Sequence, residues 1–387
     1  MPGIYKSGSV RVSLLLALIF LSALAIPVRA QLSTEDHLME PGFWPTKRVA
    51  SADDFAGSTA CSQCHRKIVA SQLGTSMAQT LSRATDSKPL QSASPLKFSQ
   101  GKFHYEIQKL PQRVTYSTTD GSQKLTADLV WAFGTDRAAQ SFLYKAPDGT
   151  VREAKVSYFS ALQRLDVTPA RSISQSDTLT EATERTVPAG EVRRCFACHS
   201  TRANIAGQFD EAKIVQGVAC EACHGPGARH VAAMQANAAA GISSDTGEFI
   251  FNPGRLAAVD AVDFCGACHG ASQDVKQSGA TDVGVIRLQP YRLQMSKCWG
   301  LGDTRLRCAS CHDPHQEVRT DAASYDAVCL SCHRSSAKQT TDAQHTEKPC
   351  PTANKNCTTC HMPKVEIPYM HKAFTDHKIQ IANRPPA

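Results

Sequence analysis

The chain has 387 residues, 42 Lys and Arg against 35 Asp and Glu, a formal net charge of +7, and 16 cysteines beside 14 histidines. So many cysteines must be disulfide-bonded or otherwise committed, which excludes a plain globular domain with incidental thiols. The basic excess is modest and forms no dense stripe, so nucleic acid is excluded as a partner.

Residues 1–30 carry Lys6 and Arg11, then the apolar run VSLLLALIFLSALAIPV, then Arg29-Ala30. This pattern predicts a secretory signal peptide cleaved after Ala30. The alternative is an uncleaved anchor, since the run of about 17 residues is at the short edge of spanning length. No second run of that length follows, so no membrane span is expected after cleavage. The expected location is exported and periplasmic, with an extracellular or membrane-associated placement as the variant.

Residues 31–97 form an N-terminal segment that holds the first copy of a recurring motif, CSQCH at 61–65. Residues 98–165 have another texture. FHYEIQKL, QRVTYSTTDG, KLTADLVWAFG and SFLYKAPDGTVREAKVSYF are β-branched and aromatic runs separated by Asp-Gly, Gly-Ser and Pro-Asp-Gly turns, which predict a small antiparallel sheet. Residues 166–190 are polar and read as a linker. Residues 191–387 carry six more copies of the motif: CFACH 195–199, CEACH 220–224, CGACH 265–269, CASCH 308–312, CLSCH 329–333 and CTTCH 357–361.

C-x-x-C-H is the attachment signal of a c-type haem: two thiols form thioethers with the haem vinyl groups and the histidine takes the iron from one face. The predicted cofactor is therefore seven covalently attached haem c groups with their iron. The thiols are Cys61 and Cys64, Cys195 and Cys198, Cys220 and Cys223, Cys265 and Cys268, Cys308 and Cys311, Cys329 and Cys332, and Cys357 and Cys360. The proximal histidines are His65, His199, His224, His269, His312, His333 and His361. A zinc ribbon fits the spacing of Cys308, Cys311, Cys329 and Cys332, but zinc does not require a histidine after every second cysteine, and neither does a disulfide framework.

Each low-spin iron needs a second axial ligand. His104, His230, His315, His345, His371 and His377 are the candidates, with His37 near the expected new N-terminus a weaker one. Met77, twelve residues after His65 on what reads as a helix, competes with His37 and His104. The two cysteines outside the motifs, Cys298 and Cys350, read as a disulfide pair, with two buried free thiols or a thiolate ligand as the alternative. With so little protein per haem, the expected fold is mainly α with extensive irregular structure, a haem-packed multihaem cytochrome fold with the small β insertion at 98–165.

GVACEACHGPGARH, RCASCHDPH, YDAVCLSCH, NCTTCHMPK and HKAFTDHKI together resemble the cytochrome c-552/c-554 class of multihaem cytochromes. The resemblance covers about 190–380 and reaches weakly to the first motif and to GTDRAAQSFLYKAPDGTVREAKVSYF. It implies that His230, His315, His371 and His377 serve irons other than that of the nearest motif. The chain departs from related nitrite reductases in having no C-x-x-C-K motif, and from the class in having Thr75-Ser76-Met77-Ala78 where Ser-x-His-Ala is frequent. Two functions follow. One is an electron-transfer protein relaying electrons between redox partner proteins or quinol-linked donors and further acceptors. The other is an oxidoreductase acting on a small nitrogen or sulfur compound at a five-coordinate haem.

Overall fold

The computed structural model describes residues 51–381, apart from 92–93, 170–175, 206–207, 243–248, 282, 301–304, 334–349, 351–352 and 368. The signal-peptide reading, His37 and His345 lie outside the described residues.

A ten-stranded antiparallel sheet dominates the N-terminal half. Its strands are β1 (Leu81–Arg83), β2 (Leu96–Gln100), β3 (Phe103–Lys109), β4 (Val114–Thr119), β5 (Lys124–Gly134), β6 (Ala139–Lys145), β7 (Val151–Ala154), β8 (Val156–Phe159), β9 (Arg164–Val167) and β10 (Glu184–Thr186). The main path runs β10-β7-β6-β5-β4-β3-β2, with β1 on β5 and β8 bridging β6 to β9. This corrects the expectation of a mainly α fold with a small insertion. The sheet reaches from Leu81 to Thr186, and its first and last strands in the chain, β1 and β10, are three residues each, too short to read as strands. Part of the segment read as a linker holds the Leu179–Thr183 helix, capped by Thr178 and Glu181, and then β10.

The predicted turns form. In the β6–β7 hairpin Gly149 takes φ +81°, and the Asp148 carboxylate accepts the Thr150 N–H at 2.9 Å, the local chemistry that makes Pro-Asp-Gly a turn.

The two sheet faces do different work. One packs Tyr105, Ile107, Val114, Tyr116, Phe142, Val156 and Leu165 into a buried core. The other carries Leu81, Trp131 and Leu143 against Val192 and Phe196 of the Ala189–His199 helix. A β-bulge between Leu129 and Trp131 makes this possible. Leu129 joins the first core, whereas Trp131 joins the second, because the extra residue re-aims the strand after it. Phe133 and Trp131 then meet Phe196 edge-on, at ring-centroid distances of 5.0 and 5.4 Å.

The C-terminal half is short helices joined by irregular chain, ending in the Lys364–Glu366 and Ala373–Thr375 hairpin. Among the described residues no helix is long and apolar enough to cross a membrane.

Candidate haem-binding sites

All seven motifs lie within or at the end of a helical turn: after Ser58–Ser62 begins, at the end of Ala189–His199, in Cys220–His224, at the end of Ala258–His269, in Cys308–Cys311, at the end of Asp326–Cys332, and in Cys357–His361. Residues three and four apart share a helix face. One turn therefore presents both thiols and the adjacent imidazole to the same side, as a covalent haem requires.

The motifs meet one another through their thiols. Cys61 hydrogen-bonds Cys220, which pushes Cys61 up and brings Cys220 down to about 6. Cys198 pairs likewise with Cys268, and its Sγ lies 3.7 Å from the Ala267 carbonyl. Cys265 pairs with Cys308, and Cys329 with Cys357.

Two carboxylates hold motif helices in register. Glu221, 7% exposed, lies between the cysteines of the third motif. It accepts the backbone N–H of Ala56 and Gly57 ahead of the first motif, and that of Gly227, at 2.8, 2.9 and 2.8 Å. Asp326 accepts the N–H groups of Asn356 and Cys357 at 2.7 and 2.9 Å, which seats the seventh motif on the helix of the sixth.

The histidines carry the decisive geometry. His224 and His315 face each other with ring planes 8° apart and centroids 6.1 Å apart. His312 and His377 have the same centroid spacing, 6.1 Å, at 38°. A metal–nitrogen bond of about 2 Å and about 1 Å from nitrogen to ring centre on each side give about 6 Å between two imidazoles on one ion.

The Nδ1 ring nitrogens of several of these histidines are also engaged. The Nδ1 atoms of His224, His361 and His377 lie 2.9, 2.8 and 3.0 Å from the carbonyls of Phe251, Gln380 and Thr375. That of His199 lies 2.7 Å from the Thr80 hydroxyl and 3.2 Å from its carbonyl. Nδ1–H donated to a carbonyl leaves Nε2 as the ligating atom, the usual outer-shell arrangement of metal-bound histidine. Burial lowers the pKa of His199, His269, His312 and His377, which favours the neutral imidazole that ligation needs. The residues present thus fit a haem at these motifs.

The other predicted ligands are placed less uniformly. His104 is exposed on β3 and hydrogen-bonds Ser99 at 2.9 Å. His230 is half-buried on the Ala228–Ala239 helix. His371 has φ +50°, sets its ring edge-on to Phe159 at 4.6 Å, and points Nε2 at Asp166, 3.3 Å away. Among the proximal residues, His65 and His333 are exposed. Met77 stands in a turn after the Arg66–Leu73 helix, where its carbonyl accepts the Val218 N–H at 3.0 Å. No disulfide joins Cys298 to Cys350. Sequence reasoning missed Glu221, Thr80 and the Arg292–Asp376 pair, none of which carries a motif signal.

Two family models match. One, cytochrome c554 and c-prime, covers residues 154–225 and includes the second and third motifs. The other, the doubled CXXCH motif, covers 303–338 and includes the fifth and sixth. Over those two stretches the chain is similar to multihaem c-type cytochromes. No curated protein matches it. Among solved structures, the outer cell wall cytochrome OcwA matches with 16% identity and a TM-score of 0.38, over 80% of this chain and 67% of that one. The two models match at C-x-x-C-H motifs, which supports haem c binding through such motifs.

Proposed function

We propose that this cytochrome binds seven haem c groups, is exported to the periplasm, and relays single electrons between redox partner proteins or quinol-linked donors and an acceptor. One observation carries the reading: the thiol contacts join motifs one to three, two to four, four to five, and six to seven. Cys311 of the fifth motif also lies within electrostatic reach of Cys329 and Cys332 of the sixth, and Cys223 of the third within reach of Cys265 and Cys268 of the fourth. The haem-bearing turns thereby form one connected row, 1–3–4–5–6–7, with the second branching at the fourth.

Haem supplies the one-electron chemistry when bound. The chain's own residues do the rest. The cysteines would hold each haem, His224 with His315 and His312 with His377 would supply ligands to two irons, and backbone carbonyls hold the imidazole tautomers. Glu221 and Asp326 keep neighbouring turns adjacent, so that electrons pass between neighbours without any group moving.

A second reading has its own support. His104 is committed to Ser99 on the sheet and His371 to Asp166, so two of the counted distal ligands stand away from a coaxial partner. An iron left with an open face would take a small nitrogen or sulfur compound. Electron paramagnetic resonance of the oxidised protein separates the readings. A relay shows low-spin irons throughout, whereas an enzyme shows at least one high-spin iron that binds the small compound.

A further inference from the structure

The segment Thr375–Gln380 reaches two of the motif sites at once. The Thr375 carbonyl orients His377, whose ring faces His312 of the fifth motif. Five residues after Thr375, the Gln380 carbonyl accepts from His361 Nδ1 of the seventh motif, at 2.8 Å, and the Gln380 N–H returns a bond to the His361 carbonyl at 3.1 Å. An extended segment has no packing of its own to hold such alignment, so it must be tied down from outside.

The tie is visible. Arg292, on the Gln289–Gln294 helix, forms a two-pronged pair with Asp376 through Nε and Nη2, at 2.8 and 2.6 Å. The side chains are 13% and 7% exposed. Asp376 also accepts the Lys378 N–H at 2.9 Å. Four residues along the chain from Arg292, buried Ser296 donates to the His377 carbonyl at 3.3 Å and accepts the Ile379 N–H at 2.8 Å. His377 is thus gripped on both sides by side chains that contact no motif cysteine in any bond described above.

We propose that Arg292 is a positioning residue which, through Asp376, sets the axial ligation of two haems: directly the fifth, through His377, and indirectly the seventh, through Gln380 and His361. The planar guanidinium fork matches a carboxylate at two points and fixes the direction of the segment as well as its place. Lysine, a single flexible point charge, would hold the place but not the direction. The inference rests on the haem-relay reading above.

The test uses the full-length, haem-loaded protein in four forms: unaltered, Arg292→Ala, Arg292→Lys and Asp376→Asn. Asp376→Asn keeps size and shape and guards against an alanine variant that fails to mature. Intact mass counts the haems, paramagnetic resonance counts low-spin and high-spin irons, and a potentiometric titration reads the midpoints. The expected result is an unchanged haem count, one low-spin iron converted to high spin in Arg292→Ala and Asp376→Asn, a second iron with a shifted midpoint, and partial recovery in Arg292→Lys. A full low-spin complement with unshifted midpoints in Asp376→Asn overturns the proposal. Failure of the unaltered protein to carry haem would instead strike the relay reading itself.

Discussion

His224 and His315 stand as two imidazole plates 8° from parallel, with 6.1 Å between ring centres. They come from motifs and segments 91 positions apart in number, yet no helix or sheet pairs them. His224 closes the Cys220–His224 turn and is fixed by the Phe251 carbonyl. His315 follows the fifth motif, its N–H bonded to Asp313 and its carbonyl accepting from the Ser71 hydroxyl. On the proposed reading, one iron between them would account for the spacing.

Replacing His315 by Ala should therefore convert a single iron from low spin to high spin and leave the covalent haem count unchanged. Ferrous carbon monoxide binding at one equivalent per chain gives the same count by another route. A variant with an unaltered low-spin total would break the pairing of His224 with His315.

Glu221 offers a stability test. Its carboxylate takes three backbone N–H donors, and charged hydrogen bonds of this kind contribute about 1.5–3 kcal/mol each when a partner is lost in a buried site. Glu221→Ala strands all three amides. The expected cost is about 3 kcal/mol or more, seen as a lower thermal midpoint, with Glu221→Gln losing less because one amide oxygen still accepts.

Gly217 tests the approach of the third motif to the turn before β1. It has φ +72°, and a Cβ there would run into the Ala78 carbonyl. Gly217→Ala should destabilise by about 2 kcal/mol or more through backbone strain and overlap. Since Thr80, two residues from Ala78, holds His199, the Soret and α-band signature of the second-motif haem should shift along with the midpoint.

A pH dependence follows from the helix that carries the second motif. Hydrogen bonding from Arg185 lowers the pKa of Glu191 against the opposing effect of burial. A depressed carboxylate contributes stability that is full above its unfolded value, about 4.3, and is lost as pH falls through the folded value. The Glu191 contribution should hold steady from neutral pH to about 5 and fall below that, on top of the loss that the buried histidines bring as pH falls below about 6.5. Arg185→Met should flatten part of the fall. An acid profile that the substitution leaves untouched would remove this pair from the account.

The attachment chemistry was legible in the sequence because C-x-x-C-H is local: five consecutive residues supply both thiols and one ligand. His315 and His377 stood out in the sequence as candidate ligands, and the fold brings each ring to 6.1 Å from a motif histidine. The strands between 98 and 165 announced themselves by alternation and by Pro-Asp-Gly. The size of the sheet did not. β1 and β10 are three residues each, shorter than any period can register, and the bulge that turns Trp131 toward Phe196 has no sequence mark. His371 shows the same limit, since its meeting with Asp166 and Phe159 depends on how the terminal hairpin lies against the sheet. Arg292 and Asp376 are 84 residues apart, and nothing short of the fold brings them together.

The central claim is that seven covalently held haems form one electron-conducting row, and a reductive titration of the mature protein tests it most directly. Electrons are added stoichiometrically under anaerobic conditions while haem absorbance is followed and intact mass is measured on the same sample. The account predicts seven haems by mass, seven electrons taken up per chain, and every haem reduced from a single donor. Uptake of fewer than six electrons, or zinc in place of haem at the motifs, would contradict it.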